Sequence, residues 1–303
     1  MIHQAFLLLL FALAPARCDE PTPGTYVVVA QPGTVLRITE GGDFSSAVAF
    51  ATGLSSPYGL LHTASGRLLV TERGSGEVTD ITDGGDFSMA APLAWGLTDP
   101  RGLVEDGDGR WLVAERAVGE LTDVRGGGNL AAAVPFATGL AGPRGLLRTR
   151  RGTLLVVEES SGEITDATHG GDLSAASPEV FGLQSPYDLA EAPDGRLFVC
   201  ELLAGRVLEV QDGGSASSLP VFASGLDVVD SIAFDLAGRL LAVEEYRGRV
   251  VDISSGGSFL GAPAFASGLG SFPQNVRIVR EPAPTWSWTF TSLPSSGALG
   301  RRR

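Results

Sequence analysis

A period of 43 residues runs through most of the chain, and this repeat constrains the fold more than any other feature of the sequence. Six copies align without insertion or deletion, and they occupy residues 25–67, 68–110, 111–153, 154–196, 197–239 and 240–282. Each copy carries a Gly-Gly pair and a Gly-Leu pair at fixed positions, as at Gly84-Gly85 and Gly96-Leu97. Internal repeats of about 20 to 50 residues are typical of solenoids and propellers, in which each repeat is one supersecondary unit.

Each repeat predicts four short strands. In the second repeat, 68–72 (LLVTE) is apolar on both faces, 77–81 (EVTDI) alternates, and 92–97 (PLAWGL) and 101–105 (RGLVE) follow turn residues. The chain holds 41 Gly and 18 Pro, a load that helical repeats of this period do not tolerate. Four antiparallel strands per repeat are the signature of a propeller blade. We therefore predict an all-β fold, a six-bladed β-propeller of four-stranded antiparallel blades.

The limits of the repeats also predict how the ring closes. The first repeat begins on a strand of the LLVTE type at 26–30, whereas the last repeat ends on a strand of the innermost type at 274–280. We expect these two strands to pair, so that the N- and C-terminal strands share one blade.

Charge and motif content argue against several function classes. The formal net charge is −13 and all 22 basic residues are Arg, so nucleic acid is not an expected partner. The sequence contains no HExxH, CxxC, GxSxG, GxGxxG or P-loop pattern. The common catalytic templates are therefore missing from the sequence.

The N-terminal segment predicts export. An apolar run at 5–14 is too short to anchor in a bilayer, and small residues follow it up to a cleavage site after Ala16. We assign 1–16 as a signal peptide and 17–24 as a leader, which makes this a secreted or periplasmic bacterial protein. Cys18 offers a site for a lipid anchor, but Arg17 before it disfavours lipidation.

The C-terminal tail, 283–303, departs from the repeat. From Glu281 to Arg303, a Pro- and Glu-containing segment is followed by an apolar patch and a final Arg run. This order resembles the PEP-CTERM sorting tails of exported bacterial proteins. Polar residues such as Ser287 and Thr289 interrupt the apolar patch, and a disordered tail is the alternative. Membrane attachment is expected only if this tail or Cys18 acts as an anchor.

The shared motif P-x-G-L-x(5)-G-R-L-x-V-x-E resembles the repeats of NHL and gluconolactonase-like six-bladed propellers. The PRGL tetrapeptides at 100–103 and 143–146 also resemble secreted propellers of scytonemin-biosynthesis clusters. The gluconolactonase resemblance implies a divalent metal held by Glu, Asn and Asp, with the Asn directly after the proline before the inner strand. That position holds Tyr58, Arg101, Arg144, Tyr187 and Asp230, with Pro273 in the last repeat, so the metal triad does not transfer.

A column of acids ends the LLVTE-type strand in five repeats, at Glu72, Glu115, Glu158, Glu201 and Glu244. A ring of carboxylates at the channel rim is a candidate site for Ca²⁺ or Mg²⁺. A residue repeated in five blades is explained more simply by a task performed in every blade, such as accepting backbone N–H bonds from the adjacent loop. We favour the structural interpretation and keep the metal site as the alternative.

Function is expected where the repeats differ. The variable positions on the channel rim are Tyr58, Arg101, Arg144, Tyr187, Asp188 and Asp230, and we identify them as candidate binding residues. Arginines on one side of an exposed rim and acids on the other would suit a carboxylated or polyhydroxylated small molecule. Ordinary rim variation without function is the alternative.

These features predict an exported propeller that acts as a ligand-binding or protein-interaction module. Its partner would be a small polar molecule or another exported protein, and we expect a monomer. The alternative is a metal-dependent hydrolase or lyase of the gluconolactonase-like class, with its site on the Glu-lined rim and Ca²⁺ or Mg²⁺ as cofactor. The missing catalytic sets favour the binding module over the enzyme.

Overall fold

The computed structural model describes residues 23–210 and 213–279. The predicted signal peptide, Cys18, most of the leader and the tail 283–303 lie outside the described residues, and the assignments made for them stay predictions. Within the described ranges, no helix combines the length and the apolar character that a membrane crossing requires.

Short strands make up nearly all the regular structure of the described chain, with one turn of 3-10 helix at Ala216–Ser218. The first ten strands are β1 (Gly24–Gln31), β2 (Thr34–Arg37), β3 (Gly42–Asp43), β4 (Ala51–Thr52), β5 (Pro57–His62), β6 (Leu68–Glu72), β7 (Glu77–Asp80), β8 (Gly85–Asp86), β9 (Ala94–Trp95) and β10 (Pro100–Glu105). The next ten are β11 (Trp111–Glu115), β12 (Glu120–Asp123), β13 (Gly128–Asn129), β14 (Ala137–Thr138), β15 (Pro143–Arg148), β16 (Leu154–Glu158), β17 (Glu163–Asp166), β18 (Gly171–Asp172), β19 (Val180–Phe181) and β20 (Pro186–Glu191). The last ten are β21 (Leu197–Glu201), β22 (Arg206–Val210), β23 (Gly214–Ser215), β24 (Val221–Ser224), β25 (Val229–Phe234), β26 (Leu240–Glu244), β27 (Arg249–Asp252), β28 (Gly257–Ser258), β29 (Ala266–Ser267) and β30 (Ser271–Val279).

The strands form six sheets arranged as the blades of a propeller, which confirms the predicted fold class. From the channel outward, blade one is β30-β1-β2-β4-β8, blade two is β5-β6-β7-β9-β13 and blade three is β10-β11-β12-β14-β18. Blade four is β15-β16-β17-β19-β23, blade five is β20-β21-β22-β24-β28 and blade six is β25-β26-β27-β29-β3. In each blade the first four strands are antiparallel, as predicted.

The core consists of six apolar clusters, one between each pair of neighbouring blades. Between blades two and three, for example, Leu69 and Val78 pack with Leu103 and Val113. Residues 68–72 are buried along the whole of β6 because this strand is covered on both faces by neighbouring blades. The apolar run LLV is therefore a consequence of a strand lying between two interfaces.

The ring closes at an inner and an outer seam. At the inner seam β1 pairs antiparallel with β30, with Val27 opposite Val276, which confirms that one blade is built from both ends of the chain. At the outer seam β3, from the first repeat, pairs with β29, from the last, with Gly42 opposite Ala266.

The second glycine of each Gly-Gly pair and the residue after it form a fifth, outermost strand that the sequence did not predict. Gly85 donates its N–H to the Phe50 carbonyl at 2.8 Å, so the segment from one repeat runs parallel to the outer strand of the preceding blade. Gly84 has φ +63°, and a Cβ on it would lie 2.8 Å from the same oxygen. The strand predicted at 92–97 is only Ala94–Trp95, because Pro92 has no N–H to donate and Gly96 turns the chain at φ +84°.

The last inner strand along the chain, β30 of blade one, contains one extra residue. The residue of positive φ before the inner strand is Ser56, Asp99, Ser185 or Val228 in four blades but Phe272 in blade one, one position later than the 43-residue spacing requires. Pro273 lies opposite Val29, as Pro57 lies opposite Glu72. The ungapped alignment is therefore wrong here, and Gln274, not Pro273, occupies the position held by Tyr58 in blade two.

Candidate functional site

The six inner strands surround a channel, and most of the predicted binding residues meet at the end where these strands begin, called here the top mouth. Tyr58 lies at its centre and is 3% exposed. Its hydroxyl oxygen is 3.4 Å from Asp230 Oδ1 and 3.4 Å from Arg144 Nη1. These partners belong to β25 and β15, which are separated from β5 by β30 and β10 respectively. The Tyr58 side chain therefore reaches across the channel and closes it.

Two buried arginines stack on two tyrosines at the top mouth, and these four side chains are called here the plug. The Arg101 guanidinium lies 4.9 Å from the centre of the Tyr58 ring, and the Arg144 guanidinium lies 3.7 Å from the centre of the Tyr187 ring. Each arginine is 6% exposed. We expected an exposed rim, but these side chains are buried because they stack on one another across a narrow channel.

Glu159, in the loop after β16, lies against this layer. The Nε groups of Arg116 and Arg144 each donate to Glu159 Oε2 at 2.7 Å, and the Tyr187 hydroxyl lies 3.3 Å from Oε1. Burial alone would raise the pKa of Glu159, but hydrogen bonds and charge from Arg144 and Arg116 hold this pKa below its ordinary value. Two guanidiniums and one phenol thus form a holder for a carboxylate.

Asp99 is the second carboxylate that pairs with arginines at this side of the mouth. Its carboxylate lies 2.9 Å from Arg101, 3.6 Å from Arg116 and 4.0 Å from Arg73. Within ion-pair distance, and among the described residues, four arginines therefore share two carboxylates, Asp99 and Glu159. Four positive charges less two negative charges leave a surplus of two positive charges at this side of the mouth.

Three buried polar atoms at or next to the plug have no hydrogen-bond partner among the described residues: Arg101 Nε, Asp230 Oδ2 and Asn275 Oδ1. Burial raises the pKa of Asp230 well above its ordinary value, and the nearby charge of Glu245 raises it further. Burial also raises the pKa of Tyr58. Burial therefore favours the neutral form of both the carboxyl and the phenol that meet in the channel.

Asp188 lies in a separate group. Its two oxygens accept bonds from Arg277 at 3.0 and 3.2 Å, and Ser231 Oγ donates to it at 2.5 Å. Asp188 occupies the strand position at which three other blades carry glycine, as at Gly59, where a Cβ would lie 2.4 Å from the Arg101 carbonyl oxygen. The structure thus brings five of the six predicted binding residues into one cluster and places Asp188 in an internal ion pair.

The predicted acid column is buried and hydrogen-bonded inside each blade. Every member accepts a backbone N–H from the preceding loop at 2.5 to 2.7 Å; the five are Glu72, Glu115, Glu158, Glu201 and Glu244. In blades two to four the other oxygen accepts a threonine hydroxyl, as from Thr122 to Glu115. In blades five and six an arginine Nε takes that place, as from Arg206 to Glu201.

This arrangement does not fit a divalent cation held between the blades. Both oxygens of each column carboxylate already receive hydrogen-bond donors, and the positions nearest the channel axis carry arginine and tyrosine where hard oxygen ligands are needed. No group of three or more His, Cys, Asp or Glu side chains in 23–210 and 213–279 is placed to hold a metal ion. We therefore derive no chemistry through a metal.

The other end of the channel, the bottom mouth, opens into a cavity of about 560 Å³ lined by the ends of the inner strands. Leu61, Val104 and Leu147 line it together with Arg277 and His62. The second described histidine, His169, is exposed beside a Gly-Gly pair far from this cavity. The two imidazoles do not share a site.

Sequence reasoning missed residues that complete the top mouth. Asp99 lies at a loop position with φ +53°. Because no repeated pattern marks this position, its role as an ion-pair partner could not be recognised from the sequence. Gln274 and Asn275 were placed out of register by the extra residue in β30. A gap allowed before Pro273 would have found both.

Comparison with known proteins establishes the fold. No protein-family model matches the sequence, and the comparison with curated proteins found no match. A chain of the nidogen–laminin complex is similar in structure, with 17% identity, a TM-score of 0.62 and coverage of 84% of this chain and 98% of that one. A gluconolactonase-like protein has 14% identity and a TM-score of 0.55, with coverage of 75% of this chain and 82% of that one. A glucose-dehydrogenase-like oxidoreductase from Thermus thermophilus has 16% identity and a TM-score of 0.52, with coverage of 74% of this chain and 91% of that one.

The fold is a six-bladed β-propeller. The structural neighbours include gluconolactonase-like propellers, as the repeat motif predicted. At these identities the similarity concerns the fold alone.

Proposed function

We propose that the protein is an exported propeller that binds a small anionic, hydroxylated molecule at the top mouth. The observation that supports this most is the surplus of two positive charges where four arginines share Asp99 and Glu159. Arg73 and Arg116 keep 42% and 34% of their side-chain surface exposed, so a ligand can reach them from solvent. In a chain of net charge −13, such a patch provides a local attraction for anions.

The geometry around Glu159 supports a binding mode for such a ligand. Arg116 already bonds a carboxylate oxygen together with Arg144, and the ligand's carboxylate would bind Arg73 and Arg116 in the same way. The buried Arg101 and Arg144 would add long-range attraction and fix the positions of the carboxylates between them. Hydroxyl groups of the ligand would hydrogen-bond to Asp99 and Glu159.

Calorimetric titration of the full chain with gluconate and citrate, and with glucose as the uncharged reference, tests this proposal. We expect the anions to bind and glucose to bind at least about tenfold more weakly, since a charge-assisted bond is roughly twice as strong as a neutral one. The double variant Arg73→Ala with Arg116→Ala should remove anion binding. Arg148→Ala is the matched control, because it removes one positive charge at the bottom mouth. Equal loss in the control, or no anion binding by the native protein, would contradict the proposal.

A hydrolase or lyase is the second candidate, and Asp230 is the observation that favours it. Asp230 is 1% exposed, its pKa is raised well above its ordinary value by burial, and one of its oxygens has no partner among the described residues, features that suit a general acid. The metal-dependent form of this candidate has no support from the acid column.

Because a structural neighbour occurs in a complex of two proteins, an acidic segment of another exported protein is an alternative occupant of the arginine patch.

A further inference from the structure

A second surface site lies where blade six meets the ring-closing blade one. A cavity of about 480 Å³ is lined there by residues 245–248 and 270–272. Tyr246 and Phe272 form two of its walls and are 70% and 37% exposed. Their ring centres are 6.3 Å apart and their planes meet at 81°, so the two rings form an open corner.

Both aromatic residues are departures from the repeat. Tyr246 lies at a turn position that holds Gly74, Ala117, Ser160 and Leu203 in four of the other blades. Phe272 is placed by the extra residue of β30 and has φ +58°, a conformation that is costly for a bulky residue. Two unrelated changes in the repeat therefore bring exposed aromatic rings to one point.

The same cavity contains a carboxylate without an ion-pair partner. Glu245 Oε1 accepts a bond from the neutral Gln274 Nε2 at 3.1 Å, and no arginine in the described ranges lies within ion-pair distance of it. The positive charge of Arg247 is matched by Asp227 at 3.0 Å. Of the two charged residues that line the cavity, Glu245 is therefore the one whose charge is not balanced by an ion pair within the described residues.

Two glycines, Gly248 and Gly270, line the cavity and add no side chain to it. A Cβ on Gly248 would lie 2.6 Å from the Gly270 carbonyl oxygen, and both residues have positive φ. The backbone therefore excludes a side chain at Gly248, as it does at the equivalent glycines of other blades, such as Gly76.

We propose that this cavity binds an organic cation, namely a quaternary ammonium or alkylated amine group. Aromatic faces attract such cations through their negative π surfaces, and a nearby carboxylate adds direct attraction. An anion is disfavoured by Glu245. A hard metal ion is disfavoured because one carboxylate and two rings do not provide its oxygen ligands. The proposal is independent of anion binding at the arginine patch, since the two sites share no residue and bind opposite charges.

The test is calorimetric titration of the full chain with tetramethylammonium chloride, with sodium chloride at equal ionic strength as the reference. We expect saturable binding of tetramethylammonium only. Tyr246→Ala and Glu245→Gln should each weaken binding by about tenfold, which corresponds to loss of one cation–π or charge contact. Tyr246→Phe should keep the affinity. Leu203→Ala, the equivalent turn position in blade five, is the matched control and should bind as the native protein does.

Phe272→Leu separates a cation site from an ordinary apolar patch. This change keeps an apolar side chain of similar reach but removes the π face, so we expect affinity for tetramethylammonium to fall about as much as in Tyr246→Ala. Unchanged affinity in Tyr246→Ala, or equal heats with sodium, would overturn the proposal. Circular dichroism and thermal unfolding of each variant establish that the ring is intact before binding is compared.

Discussion

The Tyr58 hydroxyl and the Asp230 carboxyl, 172 residues apart in sequence, meet across the channel at 3.4 Å. The inner strand β30 lies between the strands that carry them. Both groups are almost fully buried, and burial favours the neutral form of each. The pair therefore brings together, inside the channel, two groups whose neutral forms are favoured by burial.

Replacing Asp230 with Asn should change the pH dependence of stability. Because the pKa of Asp230 is higher in the folded than in the unfolded protein, the folded state binds more protons above about pH 4. This group's contribution to the free energy of unfolding is therefore fully present at acid pH and is lost as pH rises through the folded pKa. The asparagine variant lacks this loss, so the melting temperature of Asp230→Asn minus that of the native protein should increase as the pH rises above about 4. Asp83→Asn, at an exposed position, should give a curve parallel to that of the native protein.

Glu115→Ala should destabilise the protein by about 1 to 3 kcal/mol, measured by denaturant unfolding. The change leaves the Thr98 N–H, which donates to Glu115 at 2.6 Å, and the buried Thr122 hydroxyl without their acceptor. Glu40→Ala, at an exposed site, is the control and should stay within about 0.5 kcal/mol of the native protein. A Glu115→Ala protein of native stability that has lost ligand binding would instead assign the acid column to the functional site.

Truncation after Gly270 should abolish cooperative unfolding of the ring. The deletion removes β30, exposes the paired edge of β1 and uncovers buried residues such as Val27, which lies opposite Val276. Each buried valine contributes about 1.5 to 3 kcal/mol, so the loss is comparable to the stability of a whole domain. Truncation after Pro282 keeps β30 and should melt like the full chain. Equal melting of both truncated proteins would show that the inner seam is not needed.

The blades could be predicted because their signals are local and repeated. The run LLVTE is apolar on both faces, and the strand observed there, Leu68–Glu72, has the predicted bounds. Ring closure followed from the strand types at the two ends of the repeat array. Each of these inferences uses only the order of residues along the chain, which is what a periodic sequence reports directly.

The top mouth could be predicted as a set of residues but not as a shape. Arg101 and Arg144 were recognised as variable positions, yet their burial depends on stacking between side chains from different blades. No periodicity encodes such cross-channel contacts. The position of Phe272 was missed for another reason: the extra residue lies in the last repeat, where no later repeat reveals the change of register.

The exchange of outer strands has a consequence for pieces of this chain. Residues 68–110 supply β6, β7 and β9 to blade two, β8 to blade one and β10 to blade three. A fragment of whole repeats therefore ends in unpaired edges that are complementary to each other, in the same way at any cut. The two edges of a three-repeat fragment can pair with each other only if its blades turn through twice the angle per blade found in the full ring. Two such fragments can instead pair edge to edge with the curvature of the full ring. We therefore expect a fragment of three consecutive repeats to form a symmetric dimer with six blades in a ring.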